Sequence, residues 1–87
     1  MSWQNYFTDV ILERGLNYYN DGRVKITTQS SSKVKAHVTG YQEYTVIINF
    51  KTKECYCDCR YGGKCKHIAA TFYYLDNHRN TFYPKNF

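Results

Sequence analysis

Apolar residues recur at helical spacing through the first 20 positions of the chain. The residues of this stripe are Trp3, Phe7, Val10, Ile11 and Tyr18. Their spacing predicts a helix over about residues 3–20. Gly15 interrupts the pattern, and Gly22 stands where a helix is expected to stop.

An alternation of apolar and polar residues follows, and it predicts three half-buried strands. The alternating positions are Val24, Ile26 and Thr28, then Val34, Ala36 and Val38, then Tyr44, Val46, Ile48 and Phe50. The serine cluster at residues 30–32 and the segment 40–42 are turns of hairpin length. Short connections between consecutive strands predict an antiparallel meander.

A second helix is predicted from near Cys65 to Asn77, because Ile68, Phe72 and Leu75 form an apolar stripe. The pattern therefore predicts an α+β fold with an N-terminal helix, a three-stranded antiparallel sheet, a cysteine-rich loop and a C-terminal helix. Residues 1–79 are expected to form a single domain, and residues 80–87 a C-terminal tail.

The composition changes this picture mainly through the cysteines. A chain of 87 residues with four cysteines has a small core, and such domains often add a metal or disulfides. The sequence contains no apolar run of membrane-spanning length and no signal-peptide pattern, so a cytoplasmic location is expected. Reducing compartments disfavour disulfides, which makes metal ligation the better use of the cysteines.

The candidate ligands are concentrated in residues 55–67, in which Cys57 and Cys59, like Cys65 and His67, are separated by one residue. Structural zinc takes four such ligands in a tetrahedron. Residues i and i+2 of an extended strand point to the same side, so the first pair can share an ion. Cys65 and His67 can share an ion only if the helix begins at Cys65, because the side chains of residues i and i+2 within a helix point in different directions. Cys55 precedes Cys57 by two residues, so in an extended strand its side chain points to the same side as those of the first pair. Geometry therefore does not exclude Cys55 as a ligand.

The pattern CxC, five residues, then CxH resembles the SWIM zinc finger. Residues 65–70 are similar to the helix start of that family, residues 44–50 to the preceding strand, and residues 14–24 to the lead-in segment of bacterial members. The resemblance covers roughly residues 10–76. It departs at Arg60, where many members have proline, and at the additional Cys55.

This resemblance implies a zinc loop that binds one Zn²⁺. The implied ligands are Cys57, Cys59, Cys65 and His67, with Cys55 as a strand residue outside the site. Four ligands leave no open position for catalysis, and catalytic motifs are missing, so we expect no enzyme activity. His37 and His78 lack ligand spacing and are expected at the surface.

Family members occur beside chromatin-remodelling-type helicases and are proposed to bind DNA or proteins. The formal charge of +5 becomes about +4 with zinc and three thiolates bound, which is compatible with DNA. The candidate nucleic-acid contacts are Lys51, Lys53, Arg60, Tyr61, Lys64 and Lys66. The alternative is a protein-docking module of a larger helicase or ATPase. We expect nucleic-acid binding if the basic side chains share one face of the domain. We expect no membrane association for either function.

Overall fold

The computed structural model describes residues 3–60 and 64–78. A 3₁₀ turn (Trp3–Tyr6) precedes the helix α1 (Asp9–Asn20). The strands β1 (Val24–Gln29), β2 (Lys33–Thr39), β3 (Glu43–Asn49) and β4 (Glu54–Cys57) follow, and the helix α2 (Lys66–Asn77) comes last. The candidate contact Tyr61 and the expected tail at residues 80–87 lie outside the described residues. No helix in the described ranges is long and apolar enough to cross a membrane.

The single helix predicted over residues 3–20 is wrong at its beginning. The 3₁₀ turn ends at Tyr6, and the regular helix begins only at Asp9. Thr8 has extended dihedral angles, and its hydroxyl accepts a hydrogen bond from the amide of Ile11 at 3.3 Å. This is an N-cap, which satisfies a free amide of the first turn and fixes the start of the helix. The expected stop is confirmed, since Gly22 adopts a φ of 72° after α1.

The sheet has four strands rather than the three that the alternation predicts. All four are antiparallel in the order β1-β2-β3-β4. The additional strand, β4, pairs with β3 so that Cys57 lies opposite Val46. The alternation does not reveal it, because it has only four residues and lies within the cysteine-rich segment. The predicted alternation in β1 also fails at Thr28, which is exposed because the register shifts between Ile26 and Thr28.

The core lies between the sheet and α2, which packs against all four strands and against α1. The predicted inward positions of β2 are buried, as are the apolar stripe of α2 and two central residues of β3. These core residues are Val34, Ala36, Val38, Val46, Ile48, Ile68, Phe72 and Leu75. Trp3 stacks on Phe72 with ring centroids 5.1 Å apart, so the N-terminal turn closes one end of this core. The cysteine and histidine cluster lies where β4 meets α2.

Candidate metal centre

Four potential ligand atoms converge where β4 ends and α2 begins. The thiol sulfurs of Cys57, Cys59 and Cys65 and a ring nitrogen of His67 all lie within 4.8 Å of one another. The Nδ1 atom of His67 is 3.6 Å from the sulfur of Cys57 and 3.7 Å from that of Cys65. In a zinc tetrahedron with Zn–S of about 2.3 Å and Zn–N of about 2.0–2.1 Å, sulfur and nitrogen are about 3.6 Å apart. The cluster is therefore compatible with one zinc ion.

Asp58 lies between the two cysteines of the first ligand pair and is hydrogen-bonded to β3. It follows the last residue of β4, and its carboxylate accepts a hydrogen bond from the amide of Thr45 at 2.9 Å. Its own amide donates to the carbonyl of Thr45 at 3.3 Å. These two contacts fix the chain to β3 just beyond the end of β4, and the backbone bends at the next residue, Cys59.

Cys65 is the N-cap of α2 and has non-helical dihedral angles of φ −93° and ψ 171°. This confirms the expectation that the helix must begin at Cys65 for it to share an ion with His67. The extended backbone at Cys65 turns its side chain away from the direction that helical geometry would impose. Both residues are buried, with exposed fractions of 1% and 4%, so this pair of candidate ligands belongs to the interior of the fold.

A hydrogen bond between two of the thiols shifts their pKa values in opposite directions. A hydrogen bond from the thiol of Cys57 lowers the pKa of Cys65 to about 4 and raises that of Cys57. Burial raises the pKa of both thiols, so it opposes the lowering at Cys65 and adds to the increase at Cys57. A buried thiolate is stabilised here by hydrogen bonds directed at its sulfur. A zinc ion held here would supply a stronger positive charge to the same atoms, and ligating thiols are deprotonated.

The imidazole of His67 is held by two tyrosine rings. Tyr44 stacks on it with centroids 4.3 Å apart, and Tyr18 meets it edge-on with centroids 5.4 Å apart. Its Nδ1 faces the thiols, whereas its buried Nε2 has no hydrogen-bond partner among the described residues. A Cβ at Gly40 would lie 3.1 Å from the Tyr18 hydroxyl and 3.6 Å from Nε2. The geometry thus favours Nδ1 as the ligand atom, on a ring whose orientation is set by packing.

Cys55 lies in β4 outside the four-residue cluster. It is half-buried and pairs with Ile48 of β3. Burial raises the pKa of its thiol to about 12. The expectation that it is a partly buried strand residue is confirmed.

The other two histidines lie away from the cluster. His37 of β2 faces the carboxylate of Glu43 at 3.3 Å. His78 is exposed and stacks on Tyr74 with ring centroids 4.1 Å apart. Neither belongs to the group of potential metal ligands found in the described residues.

The basic residues near the metal loop divide into two groups. Lys51 and Lys53 are exposed in the turn between β3 and β4, and the carbonyl of Lys53 accepts a hydrogen bond from the hydroxyl of Tyr6 at 3.3 Å. The ammonium of Lys64 lies 4.1 Å from the centroid of the same tyrosine ring. Tyr6 therefore connects Lys53 and Lys64 on the side of the N-terminal turn.

Arg60 and Lys66 form the other group. They line a cavity of about 200 Å³ beside the ligands, together with Arg14 of α1. The sequence does not single out Arg14 as a contact, and the structure shows that this residue is exposed on α1.

Residues 44–76 match the family model of the SWIM zinc finger. The match begins at the tyrosine that stacks on His67, contains all four potential ligands and ends near the end of α2. Searches of curated proteins and of solved structures found no match to the chain. The family match and the geometry therefore agree on a zinc-binding module.

Proposed function

We propose that this SWIM-like chain is a structural zinc module that binds nucleic acid, most simply DNA. Cys57, Cys59, Cys65 and His67 would hold a single Zn²⁺, and the basic, tyrosine-rich surface beside the metal loop would contact the partner. The observation that carries the metal assignment is the convergence of four ligand atoms within 4.8 Å of one another, with Nδ1 of His67 3.6 Å and 3.7 Å from two of the sulfurs.

The proposed role of the metal is to join two elements of the fold. Two ligands come from the end of β4 and its following bend, and two come from the start of α2. A bound Zn²⁺ would be held by the three thiolates and the imidazole, and its positive charge would offset the negative charge of the thiolates. Four protein ligands complete the tetrahedron, which is the arrangement of a structural site rather than a catalytic one. Zinc binding and folding should therefore be coupled.

The predicted basic contacts divide into two groups instead of lining one cavity, so the nucleic-acid proposal is supported by the charge on the side of Arg60 and Lys66. Arg60, Lys66 and Arg14 line one cavity next to the ligands, and the zinc-loaded chain has a net charge of about +4. Positive side chains that neutralise phosphates release counterions, so binding should weaken steeply as salt increases. Tyrosine rings near the cations offer surfaces on which bases or sugars can stack.

A titration of labelled DNA fragments with the zinc-loaded protein at several salt concentrations tests this proposal. We expect affinity to fall with salt, and R60Q/K66Q to weaken binding more than K33Q/K35Q, which removes the same charge from an exposed part of β2. No binding to any fragment at low salt would contradict the proposal. It would favour the alternative of a docking module within a larger helicase or ATPase, for which the exposed Val10 of α1 offers an apolar contact.

A further inference from the structure

A second cavity, of about 440 Å³, lies beside the metal centre. It is bounded by α1, by the turn between β2 and β3 and by the first residue of α2. Three cationic side chains, those of Arg14, Arg23 and Lys66, line it together with a single carboxylate, that of Asp21. We call this cavity the arginine cleft. Its lining is cationic in excess, which is the chemistry of a site for an anion.

Two of the cations of the cleft are gathered around one aromatic ring. The guanidinium carbon of Arg23 lies 5.5 Å from the centroid of Tyr18, and the ammonium of Lys66 lies 5.2 Å from it. Tyr18 therefore contacts both cations, and each of these contacts is weak enough to leave the positive charge available to a ligand. An anion bound in the cleft would supply an opposite charge to both side chains.

The carboxylate of the cleft neutralises little of this charge. Asp21 is 3.6 Å from the Nε atom of Arg23, and both side chains are substantially exposed, so the pair is weak. Within residues 3–60 and 64–78, neither Arg14 nor Lys66 takes part in a salt bridge. Both side chains are therefore available to an incoming anion.

Arg23 is held in place while keeping donors for a ligand. Its Nη1 donates to the carbonyl of Thr39 at 3.2 Å, which anchors the guanidinium at the end of β2. A guanidinium has five N–H donors in a planar fork that matches phosphate oxygens. Because one donor binds Thr39 and another faces Asp21, the remaining donors can bind a phosphate without reorganisation of the side chain.

Tyr41 gives the cleft a second kind of contact. It lies at the tip of the turn between β2 and β3, lines the cleft and has a fully exposed side chain, at 105% of the reference value. Its ring is therefore open to a planar partner beside the cations. Bases of a single strand can stack on such a ring, whereas the bases of a duplex are stacked on each other.

We infer that the arginine cleft binds a phosphodiester of single-stranded nucleic acid, with Arg14, Arg23 and Lys66 on the phosphate and Tyr41 stacked on the neighbouring base. This inference rests on the proposed nucleic-acid function and specifies the strandedness and the site of contact. It also moves the contact away from Lys51, Lys53 and Lys64, which lie outside the cleft.

The test compares variants of the zinc-loaded protein for binding to a labelled oligothymidine and to a duplex of the same length. We expect R14Q/R23Q to weaken oligothymidine binding by about tenfold more than K33Q/K35Q, since only the former pair lines the cleft. We expect Y41A to weaken it by about fivefold or more through lost stacking, with little change for the duplex. Zinc content and circular dichroism confirm that each variant is folded.

The experiment distinguishes an error in the cleft assignment from an error in the proposed function. If the wild type binds oligothymidine but R14Q/R23Q and K33Q/K35Q weaken it equally, the contact is spread over the whole charged surface. The cleft assignment is then wrong while the proposed function stands. If Y41A has no effect, or affects duplex and single strand alike, the single-strand assignment is wrong. If the wild type binds neither ligand at low salt, the proposed function fails and this inference fails with it.

Discussion

The phenol ring of Tyr44 lies stacked on the imidazole of His67, with 4.3 Å between the ring centroids and 25° between the planes. Tyr44 belongs to β3 and His67 to the first turn of α2, so the contact joins the sheet to the helix that supplies two ligands. Tyr18 of α1 contacts the same imidazole in an edge-on arrangement. Three elements of the fold, α1, β3 and α2, therefore fix the orientation of the His67 ring, a candidate metal ligand.

Replacement of Tyr44 by alanine should weaken zinc binding. Aromatic pairs of this kind contribute about 0.5–1.5 kcal/mol beyond their buried area, so we expect Y44A to lower zinc affinity by about 2- to 12-fold. Y44F keeps the ring and should bind zinc as the wild type does. Competition with a chromophoric chelator measures both affinities. Equal affinities for Y44A and the wild type would show that stacking does not position the ligand.

Gly15 of α1 is required by the close approach of the two helices. A Cβ at this position would lie 2.7 Å from the Cβ of Ala69 and 3.0 Å from the backbone nitrogen of Ala70. Such a contact forces the helices apart, and overpacking typically costs about 1–3 kcal/mol. We therefore expect G15A to lower the free energy of unfolding by that amount, although alanine favours helices.

Denaturant unfolding of the zinc-loaded protein measures this effect. E13A is the matched control, because Glu13 lies on the same helix and is exposed. Its change should stay within about 0.5 kcal/mol. A stability of G15A equal to or above that of the wild type would contradict the close packing of α1 on α2.

The regular elements could be predicted because burial on one face repeats with a fixed period. Val34, Ala36 and Val38 alternate in sequence and are all buried, and Ile68, Phe72 and Leu75 follow the helical period. The break before α1 depends on a single capping contact, from Thr8 to Ile11, which carries no periodic signal. Strand β4 is too short to show a period. Its pairing depends on the tertiary position of β3.

The ligand cluster could be predicted because its members lie within 11 residues of each other and follow a recognisable spacing. The residues that surround the cluster could not be predicted from the sequence. Tyr18, Gly40 and Tyr44 meet around His67 only through the packing of α1, a turn and β3. In the sequence alone Gly15 interrupts a helical pattern, whereas in the fold its role is to allow contact with Ala69 of a distant segment.

Loss of one ligand should remove both zinc and tertiary order. Cys65 is 1% exposed and caps α2, so C65S leaves the remaining buried thiols without an ion that ties β4 to the helix. We expect C65S to contain no zinc and to show collapsed amide dispersion in its NMR spectrum. C55S changes a cysteine in the same segment but outside the cluster, and should keep both properties. Well-dispersed amides in metal-free C65S would contradict the coupling of zinc and folding.

The central claim is the identity of the four ligands, and the most direct measurement is native mass spectrometry of reduced C55S with thiol alkylation before and after chelation. We predict that the protein carries one zinc ion, that its three remaining cysteines are protected, and that all three become reactive once zinc is removed. A metal-free protein, or thiols that react equally before and after chelation, would contradict the metal centre.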